Sequence, residues 1–143
     1  MKILVLNGPN INMLGIREPD IYGKQTFQDL LELLSQAEKE FGIEIEQYQS
    51  NHEGDLIDKI QATFNNADGI VINPAGYTHT SIAIPDAIKA VGLPCVEVHI
   101  SDVDSREAFR QISYTSNACV KTIKGHGIDG YKEAICYLVK NYK

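Results

Sequence analysis

Lys2 to Asn7, KILVLN, is a continuous apolar run, the pattern of a strand buried on both faces of a sheet. The next patterned stretch, TFQDLLELLSQAEKEFG, is helical, with Phe27, Leu30, Leu31, Leu34, Ala37 and Phe41 at three- and four-residue spacing. Thr26 and Asp29 have the spacing of a capping box, and Gly42 stands where a left-handed residue ends a helix. Ile43 to Ser50, IEIEQYQS, alternates apolar and polar positions, as a strand at a sheet edge does. GDLIDKIQATFNN predicts a second helix through Leu56, Ile57, Ile60 and Phe64. DGIVINP predicts a third strand, and Thr80 to Val91 a third helix that stops at Gly92. Pro85 falls inside that helix, so the helix is expected to start near Ile84 with Pro85 at its first position, or to kink there. LPCVEVHI predicts a fourth strand, SDVDSREAFRQI a turn of helix, and ACVKTIKG a fifth strand. IDGYKEAICYLVKNY predicts an amphipathic helix through Ile128, Tyr131, Ile135, Leu138, Val139 and Tyr142.

Five strands, each followed by helical chain, imply an α/β fold with a parallel sheet and helices on both faces. With right-handed crossovers and the second strand at an edge, the expectation is a flavodoxin-like sheet of order 2-1-3-4-5. No repeat or linker divides the chain, so residues 1–143 are read as a single domain, long enough to bury a core. One stretch stands outside the pattern. NGPNINMLGIREPDIYG, Asn7 to Gly23, is long for a connection yet carries Ile11, Met13, Leu14, Ile16 and Ile21, more apolar surface than a solvated linker needs. It reads as a lid or binding loop.

Charge and cysteine content narrow the class. A formal net charge of -6 argues against general nucleic-acid or anionic-membrane binding. The N-terminal apolar run is too short for a signal peptide, and no apolar run approaches the ~18 residues of a membrane span, so the expected address is cytoplasmic. Cys95, Cys119 and Cys136 are odd in number and widely spaced, and are read as buried thiols rather than a disulfide framework or metal ligands. No histidine pair has metal-ligand spacing either.

The chemistry collects at one edge. His52, His79, His99 and His126 all follow or end predicted strands, and so do Arg17, Arg106 and Arg110. In an open α/β sheet that edge is where ligands bind. GxxxxGK[ST] is absent, as is a nucleophile elbow, and the reading that remains is acid–base chemistry on a polar, anionic small molecule. Tyr22 on the long loop titrates too high to be a base unaided, but guanidinium charge from Arg17 or Arg106 favours tyrosinate. A closing loop that delivers its base to substrate is a known device. Glu97 and His99 are two apart on a strand and so share a face, where the carboxylate orients the imidazole. Backbone amides in NPAGYTHTS are candidates for holding a substrate oxygen or carboxylate.

Taken in order, NGPNINMLGIREPDIYG, YQSNHEG, INPAGYTHTSIAI, EVHIS, REAFR, SYTS and GHGIDGY resemble type II 3-dehydroquinate dehydratases over almost the whole chain. That resemblance implies dehydration of 3-dehydroquinate to 3-dehydroshikimate by anti elimination through an enolate, with no metal, cofactor or imine. It implies Tyr22 as the base, and Arg17 closing the site and keeping Tyr22 ionised with help from Arg106. Asn10 would hold the water at the enolate oxygen, and His99, oriented by Glu97, would protonate the leaving hydroxyl. Asn73 and the backbone of Ile100 and Ser101 would grip the carboxylate, His79 and Arg110 would bind ring hydroxyls, and Asp86 would reach a neighbouring subunit's site. The implied assembly is a dodecamer of four trimers.

The chain departs from the family pattern at Pro85 (often Arg), Asp102 (often Asn), Asp104, Ile112 and His126, none of which is assigned to the chemistry. Two other readings stand beside this one: a catalytically silent binder of a shikimate-pathway acid, and a flavin- or phosphate-binding relative. Retention of Tyr22, Arg17 and His99 together argues against the first, because a binder has no need of a base.

Overall fold

The computed structural model describes residues 1–16, 20 and 24–143. Its centre is one parallel sheet of five strands: β1 (Lys2–Asn7), β2 (Glu44–Gln49), β3 (Gly69–Asn73), β4 (Cys95–His99) and β5 (Lys121–Lys124). They run in the order β2-β1-β3-β4-β5, as the sequence predicts, with β2 at an edge. Among the described residues, four α-helices accompany them: α1 (Phe27–Phe41), α2 (Glu53–Gln61), α3 (Ala83–Val91) and α4 (Asp129–Tyr142).

The two-residue period of β1 divides the core. Ile3 and Val5 face α1 and α4, packing with Leu30, Leu34, Ile135 and Leu138. Leu4 and Leu6 face the other way, onto Leu56 and Ile60 of α2 and Ile84 and Ile88 of α3. Both faces of the strand are covered, which is why its sequence does not alternate. At α1 the capping box forms in full: Thr26 Oγ1 accepts from the Asp29 amide at 3.1 Å, and Asp29 accepts from the Thr26 amide at 2.9 Å. Such a cap contributes about 1 kcal/mol. Gly42 closes the helix with φ 63°, a conformation that needs no strain from glycine.

Several expectations are corrected. Helix α3 starts at Ala83, which makes Pro85 its third residue rather than its first. Proline is tolerated there because the first-turn amides have no intrahelical acceptor. Instead, Ser81 Oγ accepts from the Ile84 amide. Helix α2 ends at Gln61, so Phe64 lies beyond it and is 60% exposed; Tyr142, at the end of α4, is 45% exposed. The polar segment after β4 forms two short 3-10 turns, Val103–Ser105 and Ala108–Arg110, in place of one helical turn. Only Cys95 is a buried thiol; Cys119 and Cys136 are half-buried.

Candidate active site

The adjacent strands β1 and β3 end on paired asparagines, Asn7 opposite Asn73. Beyond them the connections diverge, β1 leading to β2 on one side and β3 to β4 on the other, which opens a crevice at the carboxyl edge. A cavity of about 260 Å³ occupies it, and of the residues named from sequence Asn10, Asn73, His79, His99, Ile100, Ser101, Arg106 and Arg110 line its wall.

Asn73 is held at both ends. Its Nδ2 donates to Tyr131 Oη at 2.9 Å, and its Oδ1 accepts from the Ala75 amide at 3.1 Å. Ala75 adopts φ 53°, a left-handed conformation uncommon for alanine. Tyr131 Oη donates to Asn7 Oδ1 at 2.6 Å. The phenol is completely buried, and burial pushes its pKa far above the usual tyrosine value, so it stays a protonated donor. The Asn7 Nδ2 group is buried without a hydrogen-bond partner.

At the end of β4, His99 Nε2 is hydrogen-bonded to Glu97 Oε2. A carboxylate only accepts, so Nε2 carries the hydrogen and Nδ1 is the nitrogen left for other partners. Glu97 is wholly buried and also accepts from Thr78 Oγ1 at 2.9 Å, Ser113 Oγ at 2.7 Å and Thr122 Oγ1 at 3.3 Å. Burial pushes its carboxyl pKa up, but the hydrogen bond and charge of His99, then the Ser113 and Thr78 hydroxyls, hold it below the usual value. Glu97 is therefore a buried carboxylate, paired and hydrogen-bonded.

His79 Nδ1 donates to the Ile112 carbonyl at 2.7 Å, which directs Nε2 elsewhere as the acceptor of the neutral ring. Arg110 Nε donates to Glu107 at 2.6 Å, and the guanidinium lies 5.0 Å from the centre of the Phe109 ring. Arg106 meets Ser101 Oγ at 3.5 Å and Glu107 at 4.0 Å. Asn10 has φ 71° and donates its amide to Asn51 Oδ1. Asp102 turns its carboxylate onto the Asp104 amide, capping the turn that follows.

Other residues named from sequence lie apart. Asp86 is exposed in the first turn of α3 and does not line this cavity. Arg17 and Tyr22 lie outside the described residues. The Ala75 amide, in the segment marked as a possible oxyanion cradle, is spent on Asn73. Lys121 and Lys124 of β5 do not line the cavity; the first lies over the Tyr137 ring and the second pairs with Asp104. Thr78, Ser113 and Thr122 carry no role in the sequence reading and Tyr131 figures there only as an apolar helix position, although Thr78, Ser113 and Tyr131 fall within THTS, SYTS and GHGIDGY.

Comparison with known proteins places this geometry. The family model for class II dehydroquinases matches residues 1–139. The 3-dehydroquinate dehydratase of Clostridium acetobutylicum is 54% identical over 138 residues, 96% of each chain. Catabolic 3-dehydroquinase 1 of Fusarium vanettenii is 49% identical over 140 residues, covering 98% of this chain and 97% of its own. The crystal structure of the type II dehydroquinase from Butyrivibrio crossotus superposes with a TM-score of 0.95 at 53% identity, over 96% of this chain and 97% of that one.

Proposed function

The chain belongs to the class II dehydroquinase family, and from that premise we propose that it dehydrates 3-dehydroquinate to 3-dehydroshikimate by anti elimination through an enolate. The observation that carries the mechanism is the buried Glu97–His99 pair ending β4 at the cavity wall. Tyr22, kept ionised by Arg17 and Arg106, takes the proton from the carbon next to the ketone. Charge then develops on the ketone oxygen, where a water held by Asn10 stabilises it; fixed donors at such a point need not reorganise during the step. His99 gives its Nδ1 proton to the leaving hydroxyl, and the C–O bonding pair departs with it as water. A neighbouring carboxylate stabilises the imidazolium that this step requires.

Binding follows the same wall. Asn73 and the backbone of Ile100 and Ser101 hold the substrate carboxylate, while His79 and Arg110 meet the ring hydroxyls. The absence of lysine from the cavity lining, among the described residues, supports an enolate over an imine. In this reading residues 1–143 act as one catalytic domain in the cytoplasm, and Asp86, outside its own chain's cavity, serves a neighbouring site in a dodecamer of four trimers.

The test is an absorbance assay for the conjugated enone of the product, run with and without borohydride. Turnover that survives borohydride is expected; no turnover by protein that still binds the substrate would sink the proposal. Tyr22→Phe is expected to lower kcat by about a thousandfold while substrate affinity stays within about tenfold, because the tyrosinate acts in the transition state.

A further inference from the structure

The Glu97 carboxylate receives more donors than the orientation of one imidazole requires. Besides His99, Oε2 lies within hydrogen-bond distance of both Thr78 Oγ1 and Ser113 Oγ. Those two hydroxyl oxygens are also 2.6 Å from each other. Each hydroxyl has one hydrogen to give. Three contacts therefore join Thr78, Ser113 and Oε2, and two hydrogens are available to fill them. One hydroxyl bonds to the carboxylate while the other bonds either to the carboxylate or to its neighbour. Passing between these states takes a hydroxyl rotation and no movement of heavy atoms.

We propose that Thr78 and Ser113 are positioning residues for the elimination: a hydroxyl pair that keeps Glu97 aligned with His99 and gives the carboxylate one further hydroxyl hydrogen bond once His99 has released its proton. The inference rests on the dehydratase reading with His99 as the acid. While His99 is an imidazolium, its positive charge balances Glu97. After the proton has gone to the leaving oxygen, the negative charge stands unbalanced in a fully buried place, which is costly unless a dipole turns toward it. The rotated hydroxyl is that dipole, already in position and needing no water to enter. No proton passes to or from the hydroxyls; the transferred proton travels only from His99 to the departing oxygen.

Local structure supports a dedicated pair. Thr78 comes from the 3-10 turn Ala75–His79 after β3, and Ser113 from the segment between the turns Ala108–Arg110 and Thr115–Ala118. The Tyr114 amide donates to the Thr78 carbonyl at 2.8 Å, holding the two segments together through the backbone. Ser113 Oγ also accepts from the Ser116 amide at 3.2 Å, which leaves its single hydrogen for Glu97 or Thr78. Neither residue lines the cavity, so neither is placed to touch substrate.

Steady-state kinetics on 3-dehydroquinate tests the pair, using the full chain with Ser113→Ala, Thr78→Val or Thr78→Ser. Ser113→Ala and Thr78→Val are each expected to lower kcat by about tenfold with KM within about twofold, since the loss falls after substrate has bound. Thr78→Ser keeps the hydroxyl and is expected to stay within about twofold of the unaltered enzyme. If Thr78→Val fails to fold, as circular dichroism would reveal, Ser113→Ala decides alone, because Ser113 is half-buried and the backbone tie from Tyr114 to Thr78 is unaffected. An unchanged kcat in Ser113→Ala, a rise confined to KM, or a Thr78→Ser enzyme as slow as Thr78→Val overturns the proposal. Absence of turnover in the unaltered protein overturns the dehydratase reading along with it; normal turnover with insensitive variants removes the hydroxyl pair alone.

Discussion

The ends of β3 and β4 lie side by side at the carboxyl edge of the sheet, and each buries a cluster of polar groups. At β3 the cluster is neutral: Asn73, Asn7 and Tyr131 exchange hydrogen bonds between uncharged groups, and burial keeps the phenol protonated. At β4 the cluster surrounds one charge, with an imidazole and three hydroxyls converging on the Glu97 carboxylate. A neutral network decides where a side chain points. A charged one also decides which atom holds a proton, and so its failure is felt in the chemical step.

The sharpest way to separate the two is Glu97→Ala. It strips His99 of its acceptor and is expected to reduce kcat by about a hundredfold or more, the range of a general acid lost from register, with far less change in KM. Rapid-mixing measurement of a single turnover checks that chemistry is the step slowed. Tyr131→Phe is the corresponding cut in the neutral cluster. It removes one oxygen and leaves Asn7 Oδ1 and Asn73 Nδ2 without their partner, which costs about 1–3 kcal/mol in urea unfolding. Its kinetic effect is expected in KM, severalfold, because the wall that holds the substrate loosens while the acid does not. Equal losses of kcat in these two variants would erase the distinction.

Acid titration gives the smallest effect and the cleanest contrast. The Glu97 pKa is depressed in the folded protein, so its contribution to stability is complete above the unfolded value of about 4.3 and is lost as pH falls through the lower folded value. Below about pH 4.3, Glu97→Gln is therefore expected to lose stability less steeply than the unaltered protein. Tyr131→Phe is expected to keep the unaltered slope, since its phenol does not titrate there. Melting temperatures across that range decide the matter.

The two clusters were unequally legible in the chain. Glu97 and His99 fall two apart in a strand, so the two-residue period alone puts them on one face. Thr78, Ser113 and Thr122 reach Glu97 from 19, 16 and 25 residues away, and no local spacing encodes such a meeting. Tyr131 was visible as an apolar position on a helix face, but its hydroxyl finds Asn7 across 124 residues of sequence. The helices followed from periodicity, which ran too far at Phe64 because local pattern does not register where the core stops, and the sheet order followed from the crossover rule with the second strand at an edge. Pro85 was misjudged by two positions, since every amide of a first helical turn tolerates its own removal. The roles of Asn10 and Arg110 came from the resemblance, for loop residues carry no period at all.

Strand β4 has one further consequence, for changes in chain length. Its residues from Cys95 to His99 are all buried, Val96 and Val98 against α1 and α4, and Glu97 and His99 on the opposite face. Deleting or inserting one residue at the start of the strand exchanges those faces at a stroke, driving a carboxylate and an imidazole into an oily layer while two valines take their place. Point substitution can tune this pair by degrees, whereas an indel in β4 abolishes both members together. A laboratory lineage seeking new variants can therefore lengthen or shorten the loops around the cavity, but it must inherit this strand as an indivisible word.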